Sequence, residues 1–252
     1  MLIATWNVNG LRRRADELLE LLRTHGPDVV CLQEIKCTAE QVPDSLSPLA
    51  LPDYRARWHG GLKGYSGVAL LLRKDAFSQA VEFGHPGFDR ESRIVQARVG
   101  STLFASFYVP NGGKDYDAKI AFLGAMVAWV GQMHAAGDAL VVAGDLNVAL
   151  TDSDMHPSQR KADVIGQRPD ERALLQGVLD QGLADVCRRL RPDDDRMFTW
   201  WPYWKGARER NLGWRIDYVL ASEAAAGRAE SVQVLREFGS SDHAPVIVRV
   251  AD

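Results

Sequence analysis

Cysteine is scarce in this chain of 252 residues: Cys31, Cys37 and Cys187 are odd in number, widely spaced and without CxxC geometry. That pattern argues against a disulfide framework or a structural zinc site and fits a reducing compartment, so a cytoplasmic protein is expected. Long apolar runs are missing as well. The opening Met1-Leu2-Ile3-Ala4-Thr5-Trp6 turns polar at Asn7, too short for a signal peptide or a membrane span, and no membrane partner is expected. Neither charge dominates: 30 Lys and Arg against 33 Asp and Glu leave a formal net charge of -3. No global positive field draws the chain onto polyanions, so any nucleic-acid binding must use a local surface. No Ser/Gly/Pro linker, low-complexity tract or repeat divides the chain. With 46% hydrophobic residues it can bury a substantial core, and a single domain over residues 1–252 is expected.

What is present reads as strands in pairs and around helices. Leu2 to Val8 is β-rich, Asn9-Gly10 breaks it, and Arg12 to His25 carries Leu18, Leu19, Leu21 and Leu22 at helical spacing before Gly26-Pro27. Asp28 to Glu34 is a short apolar run with a polar end. Further strands are expected at 68–72, 94–99, 103–109, 139–143, 216–221, 232–235 and 245–250, and helices near 118–136 and 171–182. A polar connection spans 151–169 and an aromatic loop 198–214. The mixture predicts two packed sheets flanked by helices.

Polar clusters sit at the ends of these runs: Asn7 with Asn9, Gln33-Glu34, Tyr108 with Asn111, Asp145 with Asn147, and Asp217 with Ser241-Asp242-His243. Any one could be a turn former; so many in one chain point to strand ends meeting at a site. Glu34 closes an apolar strand, where a carboxylate is costly unless it meets a cation or acts as a cap or ion-pair partner. Mg²⁺ suits such a group, aided by Asn9 and Asp242, because it takes oxygen ligands and needs few carboxylates. Strand alternation would put Asp145 and Asn147 on one side, able to orient a water and accept its proton. Asp217 beside His243 would fix the tautomer of the ring and stabilise its charged form.

Seven segments together carry a resemblance: Trp6-Asn7-Val8-Asn9-Gly10-Leu11-Arg12, Leu32-Gln33-Glu34-Ile35-Lys36, Gly64-Tyr65-Ser66-Gly67-Val68, Tyr108-Val109-Pro110-Asn111-Gly112, Gly144-Asp145-Leu146-Asn147, Trp214-Arg215-Ile216-Asp217-Tyr218 and Ser241-Asp242-His243-Ala244-Pro245. In order and spacing they resemble the exonuclease III family of apurinic/apyrimidinic (AP) endonucleases, over residues 1 to 250. The resemblance implies an α/β four-layer αββα sandwich of the DNase I-like kind. It implies Mg²⁺-dependent phosphodiester hydrolysis, Mn²⁺ being able to substitute, by a monomer acting on duplex DNA with abasic sites or blocked 3′ ends. Carried over residue by residue, Glu34 is the metal carboxylate with Asn9 and Asp242 nearby, and Asp145 aligns the water with Asn147. Asn7, Tyr108 and His243 would contact the phosphate and Asp217 would orient His243; the role of Tyr108 stays open between hydrogen-bond donor and a more active part.

Four of the seven tryptophans, Trp200, Trp201, Trp204 and Trp214, fall within fifteen residues. By resemblance, Trp200, Trp214 and Ile216 line a small apolar pocket for an extruded abasic sugar, and Trp204 occupies the place of a side chain that inserts into duplex. The alternative is that Trp201 and Trp204 pack the loop. Arg12, Arg13, Lys36, Lys63, Arg93, Lys114, Lys205, Arg208 and Arg210 lie beside the motifs and could track phosphates, with Tyr65 and Asn111 among them. Two segments depart from the family: Ser92 stands where Gly is usual, which affects the turn and the placing of Arg93, and residues 152–169 differ. Competing readings are an inositol phosphatase, a sphingomyelinase, a nonspecific nuclease, or a DNA-binding scaffold without catalysis. The Trp200/Trp214 pocket beside Lys36 and Lys114 favours a DNA lesion.

Overall fold

A strand that is apolar on both faces needs both faces covered, and this chain solves that by stacking four layers. The computed structural model describes residues 1–61 and 64–251; Lys63, one of the cations noted above, lies outside the described residues. One sheet runs in the order β11-β12-β1-β2-β4-β3, comprising β1 (Leu2–Asn7), β2 (Val29–Gln33), β3 (Tyr54–His59), β4 (Val68–Arg73), β11 (Ala229–Val234) and β12 (Val246–Val250). The other runs β5-β6-β7-β8-β10-β9, comprising β5 (Val81–Gly84), β6 (Ile94–Val99), β7 (Thr102–Tyr108), β8 (Ala139–Asp145), β9 (Leu183–Asp185) and β10 (Asp217–Ser222). Each sheet contains one parallel pair, β1 with β2 and β7 with β8. Parallel neighbours need a crossover, supplied by α1 (Ala15–His25) and α2 (Tyr116–Ala135).

Period-two alternation divides the core. Ile3, Val29, Cys31, Val68 and Leu70 point between the sheets to meet Val95, Phe104, Val141 and Val219. Their neighbours Ala4, Trp6, Val30, Leu32 and Leu71 point outward to Leu18, Leu21 and Leu22 of α1. On the second sheet Phe107, Leu140, Val142 and Leu220 pack under Leu123, Met126 and Val130 of α2 and Leu175 and Val178 of α3 (Pro169–Asp180). Leu18, Leu21 and Leu22 recur at the spacing of one helical face, and α1 stops at Gly26, which takes φ 56° and donates its N–H to Leu22 O at 2.9 Å. Each fully buried aliphatic side chain contributes about 1.5–3 kcal/mol.

Strand existence matches the apolar runs, while β3, β5 and β9 and the short helices α4 (Val186–Leu190) and α5 (Glu223–Ala226) were not expected. β3 (YRARWH) and β5 (VEFG) are edge strands with interspersed polar residues and give no apolar run. Arg188, Arg189 and Leu190 lie within α4. The 151–169 connection contains two 3-10 turns, Asp152–Asp154 and Pro157–Gln159. All three cysteines are buried and free, and among the described residues no helix is long and apolar enough to cross a membrane.

Candidate active site

The parallel pairs end at the same edge of the sandwich. Asn7 closes β1, Gln33 closes β2, Tyr108 closes β7 and Asp145 closes β8, while Asp217 opens the antiparallel β10 and Asp242-His243 precede β12. Gln33 stays inside, its Nε2 donating to Thr5 Oγ1 at 3.2 Å and Ser106 Oγ at 3.0 Å, so it ties the two sheets together beneath the site. The next residue, Glu34, adopts φ 51°, a conformation that a non-glycine residue holds at a cost of order 1–3 kcal/mol and that here turns its carboxylate into the cleft. Gly10 N–H donates to Glu34 O at 2.7 Å and Ile35 N–H to Gly67 O at 3.0 Å, which pins that turn from both sides.

Asn7 is fully buried, and its amide nitrogen donates to Glu34 Oε1 at 3.0 Å and Asp145 Oδ2 at 2.9 Å, joining one carboxylate from each sheet. Asn7 Oδ1 accepts the Asn9 N–H at 3.0 Å. Both hydrogens of the amide are thus engaged, and in this structure Asn7 links the two carboxylates. Asn147 reaches Asp145 by a turn with φ 51°, not by strand alternation. Its N–H donates to Asp145 Oδ1 at 2.9 Å and its side-chain amide to Oδ2 at 3.2 Å and to Val109 O at 2.9 Å. Asn111 Nδ2 donates in turn to Asn147 Oδ1 at 3.3 Å.

His243 sits between two aspartates. Nδ1 is 2.9 Å from Asp217 Oδ2, and Nε2 is 3.8 Å from Asp145 Oδ2. Burial opposes charge on the ring, but attraction to Asp217 and Asp145 outweighs it and raises the imidazole pKa to about 10. Burial drives Asp145 the other way, up to about 7; His243 pulls it down and the neighbouring Asp217 and Glu34 push it up. Burial also raises the Tyr108 phenol far above its usual range, reinforced by Glu34 and Asp145, which favours its protonated form. For Glu34 burial is overcome by hydrogen bonds from Asn7 and Lys36 and by the Lys36 charge, and its pKa lies below the ordinary value.

Within this cleft, two sets of donors could hold a divalent cation. Asp145, Asp217 and His243 bring ligand atoms within 4.8 Å of one another. In that set His243 Nδ1 is taken by Asp217, which leaves Nε2 as the ring nitrogen facing Asp145. Glu34, Asn9 and Asp242 fit better. Asp242 is held below its usual range, His243 and hydrogen bonds from Asn9 and Trp200 outweighing burial. Asn9 Nδ2 donates to Asp242 Oδ1 at 2.8 Å, and Lys36 Nζ lies 2.6 Å from both Glu34 Oε2 and Asn9 Oδ1. An ammonium drawn between these oxygens shows that the position attracts positive charge, and its ligands are the hard oxygens that suit Mg²⁺.

Around these groups lies a cleft of about 890 Å³ lined by Tyr108, Asn111, Trp200, Trp204, Trp214 and Ile216 with the polar residues above. Trp200 and Trp214 exchange backbone hydrogen bonds at 2.9 Å each way and meet edge to face at 5.9 Å. Trp200 Nε1 donates to Asp242 Oδ2 at 3.1 Å. Trp201 is buried and packs the loop, whereas Trp204 is 63% exposed at the rim. Residues 158–166 form the facing wall, where Gly166 approaches Trp214 so closely that a Cβ would lie 2.6 Å from Cζ3. A second groove, joined through Tyr108 and Asn111, carries Tyr65, Arg90 and Lys114.

Not every expected residue faces the cleft. Arg93 is 2% exposed, bonded through Nη2 to Tyr65 OH at 2.6 Å and lying over the Tyr108 ring at 4.8 Å, so it supports both tyrosines rather than presenting a free cation. Ser92 before it takes φ 54°, which explains a glycine preference there. Arg208 donates to the backbone of Arg236, Phe238 and Ser241 and is structural. Arg12 and Arg13 are exposed on the 3-10 turn Leu11–Arg13, and Lys114, Lys205 and Arg210 are exposed. Sequence reasoning missed Tyr203, whose hydroxyl accepts from Asp242 N–H at 3.1 Å, and Arg14, which donates to Asn9 O and Ser240 O. It also missed Thr199, whose Oγ1 accepts the N–H groups of Ile216 and Asp217.

Comparison with known proteins agrees with this geometry. The chain is 31% identical over 252 residues to the exodeoxyribonuclease of Bacillus subtilis (strain 168), covering 98% of each. It superposes on the Neisseria 3′ phosphatase NExo bound to product DNA hairpin with TM-score 0.89 and 31% identity, covering 100% of this chain and 99% of that one. With an AP endonuclease from Archaeoglobus fulgidus the TM-score is 0.87 at 28% identity, covering 99% of both. Residues 4–243 match a single family description across both sheets and the whole cleft, and the chain belongs to the endonuclease/exonuclease/phosphatase family.

Proposed function

We propose that this protein is a DNA repair nuclease of the exonuclease III type that hydrolyses the phosphodiester 5′ to an abasic site, with 3′-5′ exonuclease and 3′-phosphodiesterase action at blocked ends. One observation carries the reading: an Asp145-Asn147 pair and an Asp217-His243 pair face each other at 3.8 Å beside an aromatic pocket. Asp145 Oδ2 accepts the proton of the attacking water while the Asn147 amide fixes its direction. His243 Nε2–H and the Tyr108 hydroxyl donate to the phosphate oxygens as charge develops, and Asp217 keeps the ring cationic. Glu34, Asn9 and Asp242 would hold Mg²⁺, or Mn²⁺ in its place, which when bound neutralises phosphate charge. Trp200, Trp214 and Ile216 receive a baseless sugar and exclude a nucleotide that retains its base. Arg12, Lys36 and Lys114 serve the DNA backbone with Tyr65 and Asn111, and Arg93 acts through the tyrosines. The protein acts as a cytoplasmic monomer.

The test is incision of a duplex holding one tetrahydrofuran abasic analogue. Cleavage 5′ to the lesion is expected with Mg²⁺ and not with EDTA, and Asp145→Asn should lower kcat by roughly 10²–10⁴-fold with DNA binding retained. Cleavage that persists in EDTA, or hydrolysis of phosphoinositide with the abasic duplex left intact, overturns the reading.

A further inference from the structure

Away from the cleft, three side chains converge from the margins of both sheets. β3, the edge strand of one sheet, ends on His59, and His85 follows β5, the edge strand of the other. The two imidazoles stack with centroids 4.7 Å apart and planes 19° apart. His59 Nε2 lies 2.9 Å from Asp89 Oδ2, and the ligand atoms of all three residues lie within 4.8 Å of one another. Asp89 is fixed from within: Oδ1 accepts the N–H groups of Arg93 at 2.9 Å and Glu91 at 3.3 Å, and Oδ2 that of Ile94 at 3.2 Å. The Asp89 side chain is fully buried while His85 is exposed, so the cluster is anchored at the carboxylate and open to solvent at His85.

We propose that His59, His85 and Asp89 form a second metal site, for a borderline divalent ion of the Zn²⁺ class, that staples the edge strand of one sheet to that of the other. Two imidazole nitrogens and a carboxylate oxygen with one position left to water are the donor set such ions take. A metal lies in the plane of each imidazole it binds, so the exposed His85 ring has to turn out of the stack to bring a nitrogen to an ion shared with His59 and Asp89. The His59 to Asp89 separation needs to open by only a few tenths of an ångström for both to reach one ion at about 2.0–2.2 Å. Mg²⁺ takes oxygen ligands and keeps its waters, so it does not compete here, and the two sites separate by ligand chemistry. The ion would lock the 85–93 segment, and with it Arg93, which spans Tyr65 and Tyr108.

The full chain, stripped with a chelator and returned to millimolar Mg²⁺, is titrated with Zn²⁺ by calorimetry and with Co²⁺ by visible absorption. One equivalent of Zn²⁺ should bind, and Co²⁺ should give the intense visible bands of a four-coordinate site. His85→Ala should lose both, its Zn²⁺ affinity falling by more than the roughly 10–100-fold that an outer-shell partner contributes. Because this side chain is exposed, the circular dichroism and Mg²⁺-supported activity of the variant should not change. No uptake of Zn²⁺ by the wild type, or equal affinity and stoichiometry in His85→Ala, overturns the proposal.

Discussion

Trp201 and Trp204 stand three positions apart in one loop and meet opposite fates. Trp201 is 1% exposed, donates through Nε1 to Asn211 Oδ1 at 3.2 Å and carries the Arg208 guanidinium 5.2 Å from its ring centroid. Trp204 lies at the rim with Tyr203, an aromatic pair left in water beside a cleft. Stacking of one base on an aromatic is worth about 1–3 kcal/mol, which is roughly 5–150-fold in affinity. Trp204→Ala should therefore raise the Kd and KM for an internal abasic duplex within that range while leaving Tm unchanged. A frayed 3′ end should be cut almost as well as by the wild type. Unchanged binding and cleavage of the internal lesion would end the wedge idea. The residues that meet at this site were legible wherever a polar residue bounded an apolar run, as at Asn7, Glu34, Asp145 and Asp217. Tyr203 was not, because the group it serves, Asp242, lies far along the chain and local spacing carries no trace of the contact.

Helices α2 and α3 do more than cover the second sheet. Lys119 of α2 and Glu171 of α3 form a fully buried ion pair. Lys119 Nζ also donates to Asn147 O at 2.7 Å, and Glu171 Oε1 accepts the N–H groups of Gly166 at 2.5 Å and Arg168 at 2.9 Å. The pair thus fastens the turn that aims Asn147 and the wall that abuts Trp214. Removing one partner of a buried pair costs about 3–5 kcal/mol, because the other charge is stranded. Lys119→Met should lose stability on that scale by denaturant midpoint, and Lys119→Met with Glu171→Gln should regain much of it. In the double variant kcat should stay low, since Asn147 O still lacks its donor. If stability and kcat recover together, Lys119 serves only the fold. Helix α2 was readable from Leu123, Met126 and Val130 at helical spacing, but the inward lysine was not: a charged residue in a helix reads as a solvated face until its partner on another helix is known.

At the scale of the whole molecule, the aromatic loop is secured to the second sheet by buried charge. Arg215 Nε lies 2.7 Å from Asp154 Oδ1, its Nη1 2.7 Å from Asp185 Oδ2, and Arg188 Nη2 2.6 Å from Asp154 Oδ1. Burial would raise the Asp154 pKa, but attraction to Arg215 and hydrogen bonds from Arg215 and Arg188 bring it below the ordinary value. An unfolded aspartate titrates near about 3.9, so the stabilisation is complete above that pH and fades as pH falls through the lower folded value. The stability gap between wild type and Asp154→Asn should be wide at pH 7 and shrink below about pH 4. A gap that stays constant to pH 3 would show that the ionised carboxylate is not what matters. The two-sheet plan was legible in the mixture of paired strands and helices; the order of strands was not, because pairing across hundreds of residues leaves no local pattern.

That order has a consequence during synthesis. β1 pairs with β2 on one side and with β12 on the other, Leu2 opposite Arg249 and Thr5 opposite Val246. Asp242 and His243 precede β12 and are hooked to β1 by Ser241 Oγ donating to Asn7 O at 2.7 Å and Trp6 Nε1 to His243 O at 3.1 Å. A ribosome-bound chain that has not yet released residues 241–250 holds Glu34 and Asp145 without the imidazolium or the central strand partner. The two halves of the site, Glu34 with Asp145 and Asp242 with His243, therefore come together only when β12 closes on β1.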